Sequence, residues 1–363
     1  MIILTTLSIL ILLVSCVVYT IGWVITSKKS WLKTKRVDFP SVSILIPVRN
    51  EEENIVNLLN SLNQLNYPEE KLEILIGNDQ STDTTTIILE QYASEKIQIC
   101  NIDTEKNGLS AKMNVLSQLV KKSTGELLLL TDADMNHNAS WISGLVNAIS
   151  KDTGLVGGFT VVRNTGLFSQ LQNIEYAINQ GLIKALNEFG IPTSIMGNNM
   201  MVHRENLEKI GGYESMEFSL VEDTALMWKF INEGYKVELI HHPDSVAITN
   251  PVSNYKDLIQ QRVRWAKNFG MLHPGIKLIF LLNTMSILAI IPLWMNIPFI
   301  ALMLLILRIM VVVGFLRAVN SRVGQELKAI AVLLYVFLEP FLYISILAKY
   351  ISNRKINWKG RSY

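Results

Sequence analysis

Residues 2–26 carry no charged side chain, and only small and hydroxyl-bearing residues interrupt an otherwise apolar run. A stretch of that length and character fits a helix across the hydrocarbon core of a bilayer, where every backbone N–H and C=O must be satisfied inside the segment itself. The flanking charges argue against a cleaved leader: no basic residue precedes the run, while Lys28, Lys29, Lys33, Lys35 and Arg36 follow it. Cations collect on the cytoplasmic side of a span, so the residues beyond are expected in the cytoplasm. With 49% hydrophobic residues in 363 and a mean hydropathy of +0.28, this anchor is not expected to be alone in the membrane.

Three further apolar segments, residues 276–294, 298–319 and 330–351, close the chain, the first two joined as a hairpin by Met295, Asn296 and Ile297. Arg308 falls within the second, and Glu339 with Pro340 at the centre of the third. An unpaired charge in hydrocarbon is costly, so these two are expected to pair inside the bundle. If all three segments span, the basic tail at 353–361 ends outside, against the usual distribution of cations. A break at Pro340 that turns residues 330–351 back to their side of entry removes the conflict, and is the expected arrangement.

A net charge of only +2 speaks against a nucleic-acid partner. Cys16 and Cys100 form neither a disulfide framework nor a zinc pattern, and are read as packing residues.

From about Asp38 the pattern changes. Residues 41–47, 72–76, 97–102 and 127–130 read as strands, and residues 51–65, 82–94 and 110–121 as helices between them. Such alternation specifies βαβ units and a parallel sheet. Residues 127–130 are four leucines, the unbroken run of a strand covered on both faces, and they stop at Asp132-Ala133-Asp134. Ligands of open α/β sheets gather beyond the carboxyl ends of strands, and residues two apart on extended chain project to one side. Asp132 and Asp134 therefore either cap a solvated turn or share one hard divalent cation with phosphate oxygens.

Other candidates follow the same logic. Pro47, Arg49 and Glu51 lie where the first strand gives way to a helix, a place suited to a nucleotide. Asp79 closes the second strand, where it can accept from the imide N–H of a uracil. Lys112 reaches either solvent or a diphosphate. Residues 141–149 read as a helix, 154–162 as one strand with paired glycines, and 167–186 as an amphipathic helix. Gly197, Asn198 and Asn199 occupy a loop or strand edge able to bind hydroxyls. Glu222 and Asp223 open a helix, where a carboxylate either caps free N–H groups or serves as a general base. Within residues 253–269, Gln261, Arg264 and Trp265 share a helical face, as part of an interfacial helix or of a site.

Taken in order, residues 47–51, Asn78-Asp79, Asp132-Ala133-Asp134, Glu222-Asp223 and Gln261-Arg262-Val263-Arg264-Trp265 resemble the motifs of the membrane-bound family 2 glycosyltransferases. The resemblance runs from about residue 41 to 265. Its last motif marks the branch of hyaluronan, chitin and cellulose synthases and ceramide glucosyltransferases. It implies an α/β architecture of GT-A fold, a Rossmann-like mixed sheet flanked by helices, with one membrane segment before it and about three after. The implied limits are an anchor at 1–27, a glycosyltransferase domain at 28–250, an interfacial helix at 251–275 and a membrane region with a basic tail at 276–363.

By that resemblance, Pro47, Arg49, Glu51, Asp79, Lys112, Asp132 and Arg264 contact a nucleotide sugar, with Asp79 on its uracil. Asp134 together with Asp132 holds Mg²⁺ or Mn²⁺. Asp223 deprotonates the acceptor hydroxyl, while Gly197, Asn198, Asn199, Glu222, Gln261 and Trp265 face the acceptor. The implied reaction is inverting transfer from a UDP-sugar to a lipid or other membrane-held acceptor, in a bacterial cell membrane with the catalytic domain in the cytoplasm. Three C-terminal segments are few for a secretion channel, which favours single-sugar transfer over processive polysaccharide synthesis. A catalytically silent scaffold of the same fold is the remaining alternative. Two positions depart from the family pattern: Asn78 stands where an Asp is common, and Lys112 leads into Met-Asn-Val-Leu-Ser instead of Ala-Leu-Asn.

Overall fold

A computed structural model describes residues 2–28, 38–105, 108–352, 357–358 and 361–362, so Lys29, Lys33, Lys35, Arg36 and most of the basic tail lie outside the described residues. Packing divides the chain into two compact units: a sheet unit of Ser30–Val161 and Pro192–Asn250, and an apolar unit of Met1–Lys29, Val162–Ile191 and Pro251–Tyr363. The glycosyltransferase domain expected at 28–250 is thereby interrupted. Residues 162–191 pack with the apolar segments because their long helix is buried along much of its length against apolar neighbours.

The sheet unit holds strands β1 (Val42–Val48), β2 (Leu72–Asn78), β3 (Ile97–Asn101), β4 (Leu127–Leu130), β5 (Met135–His137), β6 (Thr153–Gly157), β7 (Phe159–Val162), β8 (Met200–His203), β9 (Lys236–Leu239) and β10 (Val246–Thr249). Seven of them form one sheet in the order β3-β2-β1-β4-β8-β6-β9. β1 pairs in parallel with β2 and β4, and β2 with β3, as helical crossovers require. β8 runs antiparallel between β4 and β6, so the parallel sheet expected from alternation is mixed.

Alternate side chains of β1, β2 and β4 feed two cores. Ile44, Ile74 and Leu129 meet α2 (Ile55–Leu62), α3 (Thr85–Tyr92) and α5 (Trp141–Val146) on one face. Leu45, Leu75 and Leu128 meet α4 (Ala111–Lys122), α7 (Arg204–Lys209) and α8 (Glu222–Asn232) on the other. All four leucines of β4 are buried, each contributing about 2 kcal/mol, and this fixes the strand that delivers Asp132.

Residues 154–162 form two strands instead of the single one expected. Gly157-Gly158 switches the chain from the large sheet into a three-stranded sheet, β5-β10-β7. A Cβ on Gly158 would fall 2.5 Å from both the Asn199 amide and the Ser245 carbonyl oxygen, so only glycine lets the backbone pass. Asn199 is wholly buried: its Oδ1 accepts from Trp141 Nε1 at 2.9 Å, and its Nδ2 donates to the carbonyls of Phe159 and Ser245. Its amide is spent on the fold, which corrects the expectation that it faces an acceptor.

The apolar unit contains α1 (Ile2–Ser27), α6 (Leu167–Glu188), α9 (Tyr255–Trp265), α10 (Pro274–Met285), α11 (Ile290–Asn296), α12 (Pro298–Arg322) and α13 (Ala329–Ser352). Of these, α1, α12 and α13 are long and apolar enough to cross a membrane, and α10 with α11 makes a fourth candidate bent by 50° at its break. At the C-terminal ends of α1 and α12, Arg322 donates to the carbonyls of Thr26 and Ser27. Further along, Phe315 lies against Gly22, and Ala301 clusters with Leu12. The two helices therefore run parallel. For a chain that leaves the C-terminal end of α1 and later enters α12 at the opposite end, the bent pair α10–α11 is the candidate crossing in between.

α13 is one continuous helix with Pro340 inside it, which corrects the expected break. Proline is tolerated there because neighbouring helices provide polar partners. Arg308 Nη2 meets Glu339 Oε2 at 2.9 Å, both wholly buried, as expected of charges in hydrocarbon. Ser286 accepts from Arg308, Tyr19 donates to Glu339, and Asn283 links Tyr19 to Ser15, tying α1, α10, α12 and α13 together. The C-terminal half of α13 leans on α6 and α9 through Tyr343–Asn179 and Ser345–Tyr255. Cys16 and Cys100 are free and buried.

Replacing Asn199 by Ala is expected to cost roughly 2–4 kcal/mol, since Trp141 Nε1 and two carbonyls lose their buried partner. The thermal midpoint read by tryptophan fluorescence should fall by roughly 5–10 °C. An unchanged midpoint would show that Asn199 is not the fastener of these strands.

Candidate active site

The parallel strands β1, β2 and β4 end on one edge of the sheet and carry the first group of candidates there. Pro47 stands opposite Gly77 in the β1–β2 ladder, and Asp79 N–H donates to the Val48 carbonyl at 2.8 Å. Arg49 Nη1 donates to the carbonyl of Asp79 at 2.5 Å, so the guanidinium braces the loop after β2. Asp79 is largely buried at this corner. Asn78 donates to Thr86 Oγ1 and accepts from Ser81 N, which makes it the fastener of the turn behind Asp79.

The expected helix over 51–65 is shortened to α2. Asn50 has a positive φ of 51°, and Glu51 N–H donates to Thr85 Oγ1, so residues 51–54 remain a turn. The Glu51 carboxylate accepts from Asn54, and Asn54 in turn accepts from Asn250. Asn50, Gln80 and Ala111 are the described non-glycine residues in the left-handed region, and each sits at a strand end or helix start on this edge. Such strain costs about 1–3 kcal/mol per residue and collects where geometry serves function.

Beyond β4 the chain turns. Ala133 is buried while Asp132 and Asp134 on either side are partly exposed, so both carboxylates emerge on one side. The antiparallel register Thr249↔Met135 then sets Asn250 opposite Asp134: Asn250 N–H donates to the Asp134 carbonyl, and Thr249 Oγ1 to Asp134 Oδ2 at 3.3 Å. His137 stacks on Trp141 at 3.5 Å and bonds Thr131 Oγ1, and burial pushes its imidazole down to about 3, so it stays neutral. Asn54, His137, Thr249 and Asn250 were not singled out from the sequence. Only their neighbourhood to Glu51 and Asp134 in space reveals them.

Lys112, the second residue of α4, joins the two halves of the site. Its Nζ lies 2.7 Å from Asp132 Oδ1 and 2.8 Å from Glu222 Oε1. Burial alone would lower the lysine's pKa, but the two carboxylates outweigh it and hold the ammonium charged. The surface-lysine reading is thus ruled out, and Glu222 is held by Lys112 inside the protein.

Asp223 follows at the start of α8. Its Oδ2 accepts from Gly197 N–H at 2.9 Å and its Oδ1 from Thr224 N–H at 2.7 Å. A Cβ on Gly197 would sit 2.8 Å from that Oδ2, so the close approach requires glycine. Burial, reinforced by the charge of Glu222 and opposed by Lys112 and the two N–H donors, pushes the Asp223 carboxyl up to about 6. A carboxylate tuned to that range suits general-base chemistry near neutral pH. Asn198, next to Gly197, accepts from Thr160 Oγ1 at 2.9 Å and is half-buried.

The remaining candidates belong to α9 in the apolar unit. Arg262, which the sequence reading left without a role, forms a bidentate pair with Glu175 of α6 at 2.7 and 2.9 Å, both buried. Its guanidinium lies 4.3 Å from the Trp265 ring centroid, Tyr176 meets that ring edge-on, and Gln261 accepts from Arg262. Arg264 is half-buried on the same helix.

The family model described as glycosyl transferase family 21 matches residues 7–363. The chain belongs to that family. This family 21 chain is 31% identical over 238 residues to the "Probable glycosyltransferase YdaM" of Bacillus subtilis, covering 63% of this chain and 55% of that protein. It is 25% identical over 255 residues to the "Beta-monoglucosyldiacylglycerol synthase" of a Nostoc species, covering 69% and 53%. It therefore spans about half the length of these relatives. Among solved structures, a mannosyltransferase of Pyrobaculum calidifontis in complex with GDP-Man and Mn²⁺ is similar over 97% of this chain and 99% of that one. The TM-score is 0.63 at 18% identity, a likeness of fold. The GT-A architecture implied by the motifs is the fold of this family 21 protein, and its apolar helices make it a membrane protein.

A general base at Asp223 would have to be ionised to act, and its carboxyl is raised to about 6, so that role predicts an acidic limb of the rate profile near pH 6. Glu222→Gln removes a charge that raises this pKa, so the limb should move to lower pH. An unmoved limb would separate Asp223 from the titration.

Proposed function

We propose that this protein is an inverting, metal-dependent glycosyltransferase that moves one sugar from a UDP-sugar to a lipid in the membrane. The observation that carries the reading is the cluster Asp132–Lys112–Glu222–Asp223, which couples a strand-end carboxylate to a base poised near pH 6. Asp79 accepts from the uracil, with Pro47, Arg49 and Glu51 shaping the pocket behind it. Asp223 takes the proton of the acceptor hydroxyl, and the attack from the face opposite the leaving diphosphate inverts the sugar carbon. Lys112 and Arg264 offset charge on the departing diphosphate, while Gly197, Asn198, Gln261 and Trp265 face the acceptor.

Asp132 and Asp134 fit Mg²⁺ or Mn²⁺: two oxygen donors of one turn suit a hard cation that completes its shell with phosphate and water. Among the described residues no group of three or more His, Cys, Asp or Glu side chains is placed to hold the ion. When bound, the ion would supply neutralisation of the diphosphate. Asp134 would carry most of its hold, since Lys112 already engages Asp132.

Three or four candidate spans are few for a secretion channel, and the Nostoc relative is named for a diacylglycerol product, which supports a lipid acceptor over a growing polysaccharide. The cations after α1 support a cytoplasmic catalytic unit in a bacterial cell membrane.

Membranes containing the protein, incubated with a panel of UDP-sugars and GDP-mannose and extracted for mass analysis, should yield a singly glycosylated lipid from one UDP-sugar. Asp134→Ala should weaken metal-dependent donor binding by roughly a hundredfold, and Asp132→Ala less. Long sugar chains, transfer from GDP-mannose alone or transfer without divalent metal would each overturn the corresponding part of the reading, and the reverse order of the two variants would exchange their roles.

A further inference from the structure

Where α1 and α12 end side by side, an open groove of about 490 Å³ runs between them. It is lined by Ser27, Arg317 and Ser321 at the helix ends, which form its mouth, by Trp23, and by Met310 and Val313 further along α12. Trp23 reaches α12 because Gly314 lacks a side chain: a Cβ there would fall 2.5 Å from the indole ring. Arg317 is exposed and makes no ion pair among the described residues, and Lys28 follows Ser27 immediately. Ser321 Oγ donates to the Ala318 carbonyl, which leaves its lone pairs to accept from another hydroxyl.

The polarity is graded along the helix axis. Cations and hydroxyls stand at the helix ends, tryptophan next to them, and apolar side chains below. From Ser321 to Met310 the rise along α12 is roughly 16 Å, the depth of one leaflet of a ~30 Å hydrocarbon core. A guanidinium presents paired donors matched to a phosphodiester, and tryptophan favours the interface. The Arg317 cation at the mouth disfavours a headgroup that carries its own positive charge.

We infer that this groove binds one anionic glycerophospholipid with a hydroxyl-bearing headgroup. Arg317 holds the phosphodiester, Ser321 accepts from the headgroup hydroxyl, and one acyl chain lies along Met310 and Val313 against Trp23. This assignment is independent of the sugar-transfer reading, because it draws on α1 and α12 alone.

The test is native mass spectrometry of the full-length protein released from mixed phosphatidylglycerol and phosphatidylcholine vesicles, with Arg317→Gln, Arg317→Lys and Lys277→Gln beside the parent. One phosphatidylglycerol should be retained in preference to phosphatidylcholine. Arg317→Gln should reduce retention about fivefold, the effect of one interfacial cation, Arg317→Lys should fall between it and the parent because the charge remains but the paired donors are lost, and Lys277→Gln should keep most of it. Equal retention of both lipids, equal loss in Lys277→Gln, or a dimer that excludes lipid from the groove would each overturn the assignment. A thermal melt in detergent ensures that the variants compared are folded.

Discussion

The site rests on one buried ammonium. Lys112 lies within 2.8 Å of carboxylates delivered by two distant parts of the chain, Asp132 after β4 and Glu222 at the head of α8. The Lys112–Glu222 pair is the buried one, and removing one of its members leaves a charge uncompensated at a cost of about 3–5 kcal/mol, while the pair with the more exposed Asp132 is worth less. The backbone bears strain to place it: Ala111, immediately before, is held at a φ of 50°. Through this lysine, whatever alters the charge at Asp132 is felt at Glu222 and, beyond it, at Asp223. Asp132, Asp134, Glu222 and Asp223 together outnumber the charge on Lys112, and this surplus negative potential suits a divalent cation arriving with a nucleotide diphosphate.

The apolar unit repeats the device. Arg262 and Glu175 pin α9 to α6, and Arg308 and Glu339 pin α12 to α13, each pair almost wholly removed from solvent. Between apolar helices, packing alone discriminates weakly among rotations, whereas a charged pair with hydrogen-bonded neighbours tolerates only one. Tyr176 and Trp265 stacking around Arg262 give α9 a fixed rotation, and with it the direction of Arg264. The parallel run of α1 and α12 similarly follows from Arg322 seeking the last carbonyls of α1, the groups a helix end leaves unsatisfied.

Much of this was legible in the sequence because it depends on local pattern. Four consecutive leucines marked β4 to the residue, the uncharged run at 2–26 marked α1, and the ordered motifs indicated the GT-A fold. The Arg308–Glu339 pair was legible because hydrocarbon leaves an isolated charge few alternatives. What failed depended on partners that only tertiary structure supplies. Asn199 carried the polarity of a binding residue, yet its hydrogen bonds go to Trp141, Phe159 and Ser245. Gly157-Gly158 read as a place of close backbone approach, which it is, but inside one strand, whereas it is a crossing between sheets. Pro340 read as a break, but neighbouring helices keep α13 whole, and the bend lies between α10 and α11 instead. Thr249 and Asn250 have no motif of their own and gain meaning only by standing opposite Asp134.

The central claim, that Lys112 couples the strand-end carboxylate to the base, is tested most directly by the pH dependence of sugar transfer in Lys112→Met beside Lys112→Arg. Lys112 lowers the pKa of Asp223, so its loss as a charge should move the acidic limb above pH 6 and weaken donor binding together, with Arg restoring both. A Met variant that stays folded and keeps its limb near pH 6 would contradict the account.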